Sequence, residues 1–211
     1  MVAAMAIVTI ESAQDIAVAV EQLAISEFTA IYFSGIPIPL RRKPKGFTTL
    51  FQAIIGQQVS VASAAAIWTR VEQAGLTAQS DVARATPEHL AQLGLSRLKI
   101  CYAHALAESL LDYDGLVNLP DEAVLSALTQ ITGIGRWTAE VYALHALGRA
   151  DVFPHGDLAL QEATRLVFNL PVRPGEKMMR DLAQAWSPWR SVAARLLWAY
   201  YKDHKSREEL I

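Results

Sequence analysis

Residues 131–139 read Ile-Thr-Gly-Ile-Gly-Arg-Trp-Thr-Ala. Apolar residues recur at helical spacing on both sides of this run, over 121–128 and 139–147. Two helices therefore meet across a turn of a few residues, and so short a connection leaves them little choice but a hairpin. Gly133 and Gly135 can take positive φ and, lacking a Cβ, let another backbone come close. The second helix starts directly after them, with its first N–H groups unused by the helix and pointing outward, which suits a phosphate. Glycines at such spacing also end helices and make tight corners, so the turn alone is read equally as a structural corner or as an anion site.

The rest of the chain repeats the helical period, and no stretch alternates over more than a few residues. Further helices are expected at 12–23, 27–33, 47–57, 61–72, 87–93, 97–111, 158–168, 175–186 and 189–205. Ser60, Thr86, Pro120 and Pro174 mark starts. Gly75, Gly94, Gly115 and Gly148 mark stops. Between 35 and 46 the prolines Pro37, Pro39 and Pro44 exclude a helix, so this segment reads as an extended linker. There is no internal repeat and no low-complexity tract. The class is all-α.

With 211 residues, 52% hydrophobic and 19% charged, the chain has ample material for a core and is not of disordered type. One cysteine, Cys101, excludes an intrachain disulfide and a four-cysteine iron–sulfur cluster. Set in a helical pattern, it is expected to be a buried, inert thiol. The five histidines show no zinc spacing. Met1 to Ile10 is apolar but lacks the basic start and long apolar stretch of a signal peptide, and no run approaches a membrane span. The expectation is a soluble, intracellular protein.

The formal charge of -2 speaks against a general nucleic-acid binder. Its distribution softens that objection. Glu11, Asp15, Glu21 and Glu27 are the only charges before Arg41, leaving 17 acids against 19 bases beyond them. Arg41, Arg42, Lys43 and Lys45, then Arg97 and Lys99, then Lys177 and Arg180, form local basic groups. Each alone reads as solvated surface, although a local patch can hold a few phosphates.

After Trp137 comes the block Val152-Phe153-Pro154-His155-Gly156-Asp157-Leu158, whose aspartate, twenty residues beyond Trp137, stands at the mouth of the next helix. Upstream lies Ile54-Ile55-Gly56-Gln57-Gln58-Val59-Ser60, and downstream Trp186-Ser187-Pro188-Trp189-Arg190-Ser191 and Leu196-Leu197-Trp198. With the hairpin these blocks resemble, in order, the helix-hairpin-helix DNA glycosylase superfamily, and within it the alkylbase branch of 3-methyladenine DNA glycosylase II. The resemblance implies two helical lobes with an active-site cleft between them. Residues 46–149 would form the lobe with the hairpin, and 1–45 with 150–211 the lobe carrying Asp157. The resemblance is to the compact form of the branch, for which no N-terminal β domain like that of the larger bacterial enzyme is expected.

The family's chemistry needs a carboxylate to stabilise an oxocarbenium-like sugar and to activate a water, and the resemblance gives that role to Asp157. The bland alternative for Asp157 is a plain N-cap, and the two are compatible, since a helix N-terminus keeps a carboxylate ionised. By the same resemblance Gln58 is the wedge filling the gap left by a flipped base, where the bacterial relative has an apolar residue. Gln57 reads as structural, holding backbone in the turn. Trp137 and Trp198, with Tyr201 a third, map onto the aromatic base pocket, where π faces suit a cationic alkylpurine; core packing is the alternative for each. Trp68, Trp186 and Trp189 read as core or lobe-joining residues. Position 137 holds Trp where strand-cutting relatives have a Schiff-base lysine, and Lys99 and Lys177 are not placed like it, so the type implied is monofunctional.

Backbone N–H groups around Gly133, Gly135 and Arg136 would bind a phosphate of the damaged strand. The carbonyls of Thr129, Ile131 and Gly133 would hold a monovalent cation, with no other cofactor. The implied partner is double-stranded DNA containing alkylated bases, bound by a monomer, in the bacterial cytoplasm and nucleoid or in a eukaryotic nucleus. Two other readings stand beside this one. A glycosylase for deaminated or oxidised bases would want polar contacts to the base, for which His155, Gln161 and Tyr201 are on offer. A non-catalytic helix-hairpin-helix DNA-binding module would have no need of the Asp157 block.

Overall fold

The computed structural model describes residues 7–208; most of the apolar start read as lacking a signal peptide lies outside them. In chain order the helices are α1 (Ala13–Leu23), α2 (Ser26–Phe33), α3 (Phe47–Gly56), α4 (Val61–Gln73), α5 (Gln79–Arg84) and α6 (Pro87–Gln92). There follow α7 (Arg97–Ala107), α8 (Asp121–Thr129), α9 (Arg136–His145), α10 (Leu158–Val167), α11 (Glu176–Leu182) and α12 (Arg190–Glu208). Short 3-10 turns lie at Gly115–Asn118 and Ala183–Trp186. Among the described residues there is no strand, and the one isolated bridge pairs Thr9 with Arg149. The protein is all-α.

Local chemistry sets most of the helix ends. Ser12 and Asp15 form a capping box, with the Ser12 hydroxyl accepting from Asp15 N–H at 3.2 Å and the Asp15 carboxylate from Ser12 N–H at 2.9 Å. Ser60, Thr86 and Ser96 cap α4, α6 and α7 in the same way, and Pro87 occupies the first turn of α6. Gly75 and Gly94 follow α4 and α6 at positive φ. Gly115 differs from the expectation: it begins a 3-10 turn, its N–H on the Asp112 carboxylate at 2.9 Å. Helix α5 was not foreseen; six residues are too few to show a helical period.

The chain forms two compact units. One contains residues 1–42 and 143–211, the other residues 43–142. In the first, α12 packs on α10, α2 and α1. Phe28 meets Trp186 edge-on with ring centroids 5.3 Å apart, among Ile16, Leu160, Leu196 and Leu197. The Arg190 guanidinium grips Asp151 with two bonds of 2.7 and 2.8 Å, pinning the start of α12. In the second, α7 packs against α3, α5 and α6. The boundary falls inside α9, earlier than residue 149, because Leu144 belongs to the apolar core of the first unit together with Ala150 and Phe153.

Cys101 is exposed, against the expectation of a buried thiol. Helix α7 buries Ile100, Ala103, Leu106 and Ala107, and Cys101 falls outside that stripe. Lys99 also departs from its reading as surface. It is 8% exposed, and its Nζ donates to the Ile55 carbonyl at 2.6 Å, capping the C-terminus of α3; burial lowers its pKa.

Candidate active site

Asp157 follows a turn at His155 and Gly156, its N–H donating to the Pro154 carbonyl at 3.0 Å, and is the N-cap of α10. Its Oδ1 accepts the Leu160 N–H at 3.0 Å, so the position is held by the helix it starts. The same oxygen accepts the indole Nε1–H of Trp198, from α12, at 3.2 Å. Two donors from different elements fix the carboxylate's rotation. Trp198 is half-buried; its indole stacks on the His145 ring with centroids 5.7 Å apart and planes 21° from parallel. Tyr201, also half-buried, packs against the apolar core of this unit. Gln161 is buried with its amide donating to the His155 carbonyl at 3.0 Å, which ties it to backbone. His155 is buried against Phe153, with centroids 5.3 Å apart.

In the other unit, α8 and the start of α9 form the hairpin. Gly133 takes φ +95, while Gly135 does not take positive φ, contrary to the expectation for it. A Cβ on Gly133 would lie 2.3 Å from Cγ of Tyr102, whereas one on Gly135 would meet nothing within 4 Å. The two glycines thus do different work. Gly133 lets α7 press against the turn, and Gly135 keeps the outer face of the turn low. The Arg136 guanidinium is shared between Glu140 at 2.8 Å and Glu122 at 2.9 Å, pairs that raise its pKa; they leave the backbone, not the charge, as what this residue offers a phosphate. Trp137, one residue on, is 46% exposed, which is unusual for so large an apolar group.

Gln57 and Gln58 follow α3. The Gln57 amide donates to the Gly133 carbonyl at 2.9 Å, the holding role read for it from sequence. Gln58 is exposed and takes φ 55, a left-handed conformation costing a non-glycine residue about 1 kcal/mol. Strain of this kind collects where a side chain must be aimed. Replacing Gln57 with Ala should lower stability by about 1–2 kcal/mol by leaving a part-buried carbonyl without its donor. Denaturant unfolding of the two proteins measures it, and a loss within error would mean the bond contributes nothing.

Of the carbonyls considered for a cation, Ile131 O accepts from Ile134 N–H at 3.0 Å and Gly133 O from Gln57. Each keeps a second lone pair, and the Thr129 hydroxyl is bonded back into α8, so only backbone carbonyls of these residues would be on offer to an ion. Among the described residues no cluster of His, Cys, Asp and Glu could hold a metal, and no helix is long and apolar enough to cross a membrane.

Residues 51–188 match the model of the HhH-GPD superfamily of base excision DNA repair proteins, and the chain belongs to that superfamily. Among individual relatives, DNA-3-methyladenine glycosylase 1 of Schizosaccharomyces pombe is 30% identical over 171 residues, 74% of this chain and 72% of the relative. A crystal structure of a DNA-3-methyladenine glycosidase from Bacillus halodurans is 31% identical. It superposes with a TM-score of 0.81 over 98% of this chain and 99% of that one. A structure of 3-methyladenine DNA glycosylase from Schizosaccharomyces pombe in complex with abasic DNA gives a TM-score of 0.71 at 26% identity, over 85% and 94% of the two chains. Against two other curated relatives that it matches, the chain spans 58% and 65% of their length.

Proposed function

We propose that this protein is a monofunctional DNA glycosylase of base excision repair. It flips alkylated purines of the 3-methyladenine and 7-methylguanine type out of duplex DNA and hydrolyses their N-glycosidic bond, leaving an abasic site. The observation that carries the reading is the Asp157 carboxylate, anchored on Oδ1 by the α10 backbone and by the Trp198 indole. As the bond from C1′ to the base nitrogen breaks, the electron pair leaves with the base and positive charge grows on the sugar. Asp157 opposes that charge and takes a proton from the water that attacks C1′. An N-alkylated purine is already cationic and leaves as a neutral base, so no general acid is required. Aromatic faces at Trp137 and Trp198 favour such a base over a neutral one.

The remaining roles follow. Gln58 is the wedge, presented by its left-handed backbone at the end of α3. N–H groups at Gly133, Gly135 and Arg136 hold a backbone phosphate, and a monovalent cation on the Thr129, Ile131 and Gly133 carbonyls would add positive charge there. The protein acts as a monomer on chromosomal DNA, in a nucleoid or a nucleus. Relatives named as 3-methyladenine glycosylases support the alkylbase reading over one for deaminated or oxidised bases, as does the engagement of the Gln161 amide by backbone.

The test is base release from duplexes carrying 3-methyladenine, 7-methylguanine, hypoxanthine or uracil, with borohydride present in a parallel set. Release of the two methylated purines ahead of the neutral bases, an uncut strand and no trapped adduct are expected. Fastest release of uracil or hypoxanthine would overturn the substrate class, and a trapped adduct the monofunctional type. Binding without release of any base would leave only a DNA-binding module.

A further inference from the structure

Arg195, in the middle of α12, is 2% exposed. Among the described residues its bonds go to neutral acceptors: the Leu40 carbonyl at 2.6 Å, the Leu144 carbonyl at 3.2 Å and Nδ1 of His145 at 3.4 Å. Burial, then Arg42 and Arg41, push its pKa down to about 10. The Leu144 carbonyl lies in the last turn of α9, where the helix end carries partial negative charge, and this offsets part of the cost of the buried cation. A guanidinium can only donate, so in this contact Nδ1 of His145 is the acceptor.

That imidazole lies flat against the indole of Trp198, and the indole N–H reaches Asp157 Oδ1. A rotation of the indole about its χ2 would carry Nε1 off the carboxylate. The His145 ring, engaged at Nδ1 by Arg195, lies nearly parallel to the indole and opposes that rotation. We propose that His145, seated on Arg195, is a positioning residue for Trp198: it holds the indole plane so that Nε1–H stays on Asp157 and the carboxylate keeps a single orientation. The inference rests on the reading of Asp157 as the group that faces the sugar. It makes His145 matter to the chemical step without touching the substrate.

Two readouts test it. One is the indole N–H resonance of Trp198, identified by its loss in Trp198→Phe. The other is the single-turnover release of 7-methylguanine set beside affinity for a duplex with an abasic analogue. His145→Ala should move or broaden the resonance and slow release by about tenfold, while affinity stays within about twofold. His145→Phe returns a flat face and should recover most of that loss. His145→Leu fills the volume without a flat ring and serves if the Ala variant does not fold. Arg195→Met should displace the same resonance. An unmoved resonance in His145→Ala or His145→Leu overturns the inference, whatever happens to the rate. So does a rate that falls in step with affinity. If the wild-type protein releases no base, the glycosylase reading fails while the resonance still decides whether His145 orients Trp198.

Discussion

Asp157→Asn is expected to slow base release by about 10²-fold or more while duplex affinity and thermal stability stay near those of the wild type. An Asn side-chain oxygen can accept both bonds that Oδ1 now accepts, from Leu160 N–H and from the Trp198 indole. The cap and its link to α12 survive, and the charge opposing the developing cation does not. Asp157→Ala separates the two roles, since it also removes the cap and should cost about 1 kcal/mol of stability. Single-turnover release and thermal unfolding of the three proteins check both statements. Release by the Asn variant at near the wild-type rate would leave Asp157 as a cap and nothing more.

Gly133→Ala is expected to have the largest effect on folding. The backbone there has φ +95, and the new Cβ would lie 2.3 Å from Cγ and 2.6 Å from Cβ of Tyr102. The ring position is set by α7, so relief requires the turn itself to move. Backbone strain and overpacking together come to about 3 kcal/mol, or a fall of roughly 10 °C in the unfolding midpoint. Gly135→Ala is the contrast: it needs no positive φ, and its Cβ would meet nothing within 4 Å. It should fold as the wild type does and, if the proposed phosphate contact is made here, lose affinity for duplex DNA, because the added methyl would stand where that phosphate approaches. Equal stability of the two variants would show that the glycines do not divide their work in this way.

The helices were legible because their signals are local. Apolar spacing, Ser and Thr caps, prolines and following glycines all act within a turn of the residue concerned, and α4, α6, α8 and α10 begin where those signals place them. Short pieces were not legible, since α5 is too brief to display a period. The site divides on the same principle. Asp157 as a cap and Gln57 as a residue holding the turn could be read from chain position. Which glycine needed a positive φ could not be, because Tyr102, thirty-one residues away, decides it.

Burial of polar groups was the least legible of all. Lys99 and Cys101 are two residues apart on one helix; the lysine is buried and the thiol exposed. What separates them is the carbonyl end of α3, which offers the ammonium a partner inside the unit, whereas the thiol lies off the buried stripe of α7 and is exposed among the described residues. By itself the sequence determined the all-α class, the order of the helices, the hairpin and the aspartate that follows it, for each is written in neighbouring residues. Only the tertiary structure decided that Trp198 hands its N–H to Asp157, that His145 stacks on the indole, and that Arg195 reaches the His145 ring. These contacts join residues 41 and 50 positions apart, and hydrogen bonding and stacking depend on distances and angles that side-chain type alone does not specify.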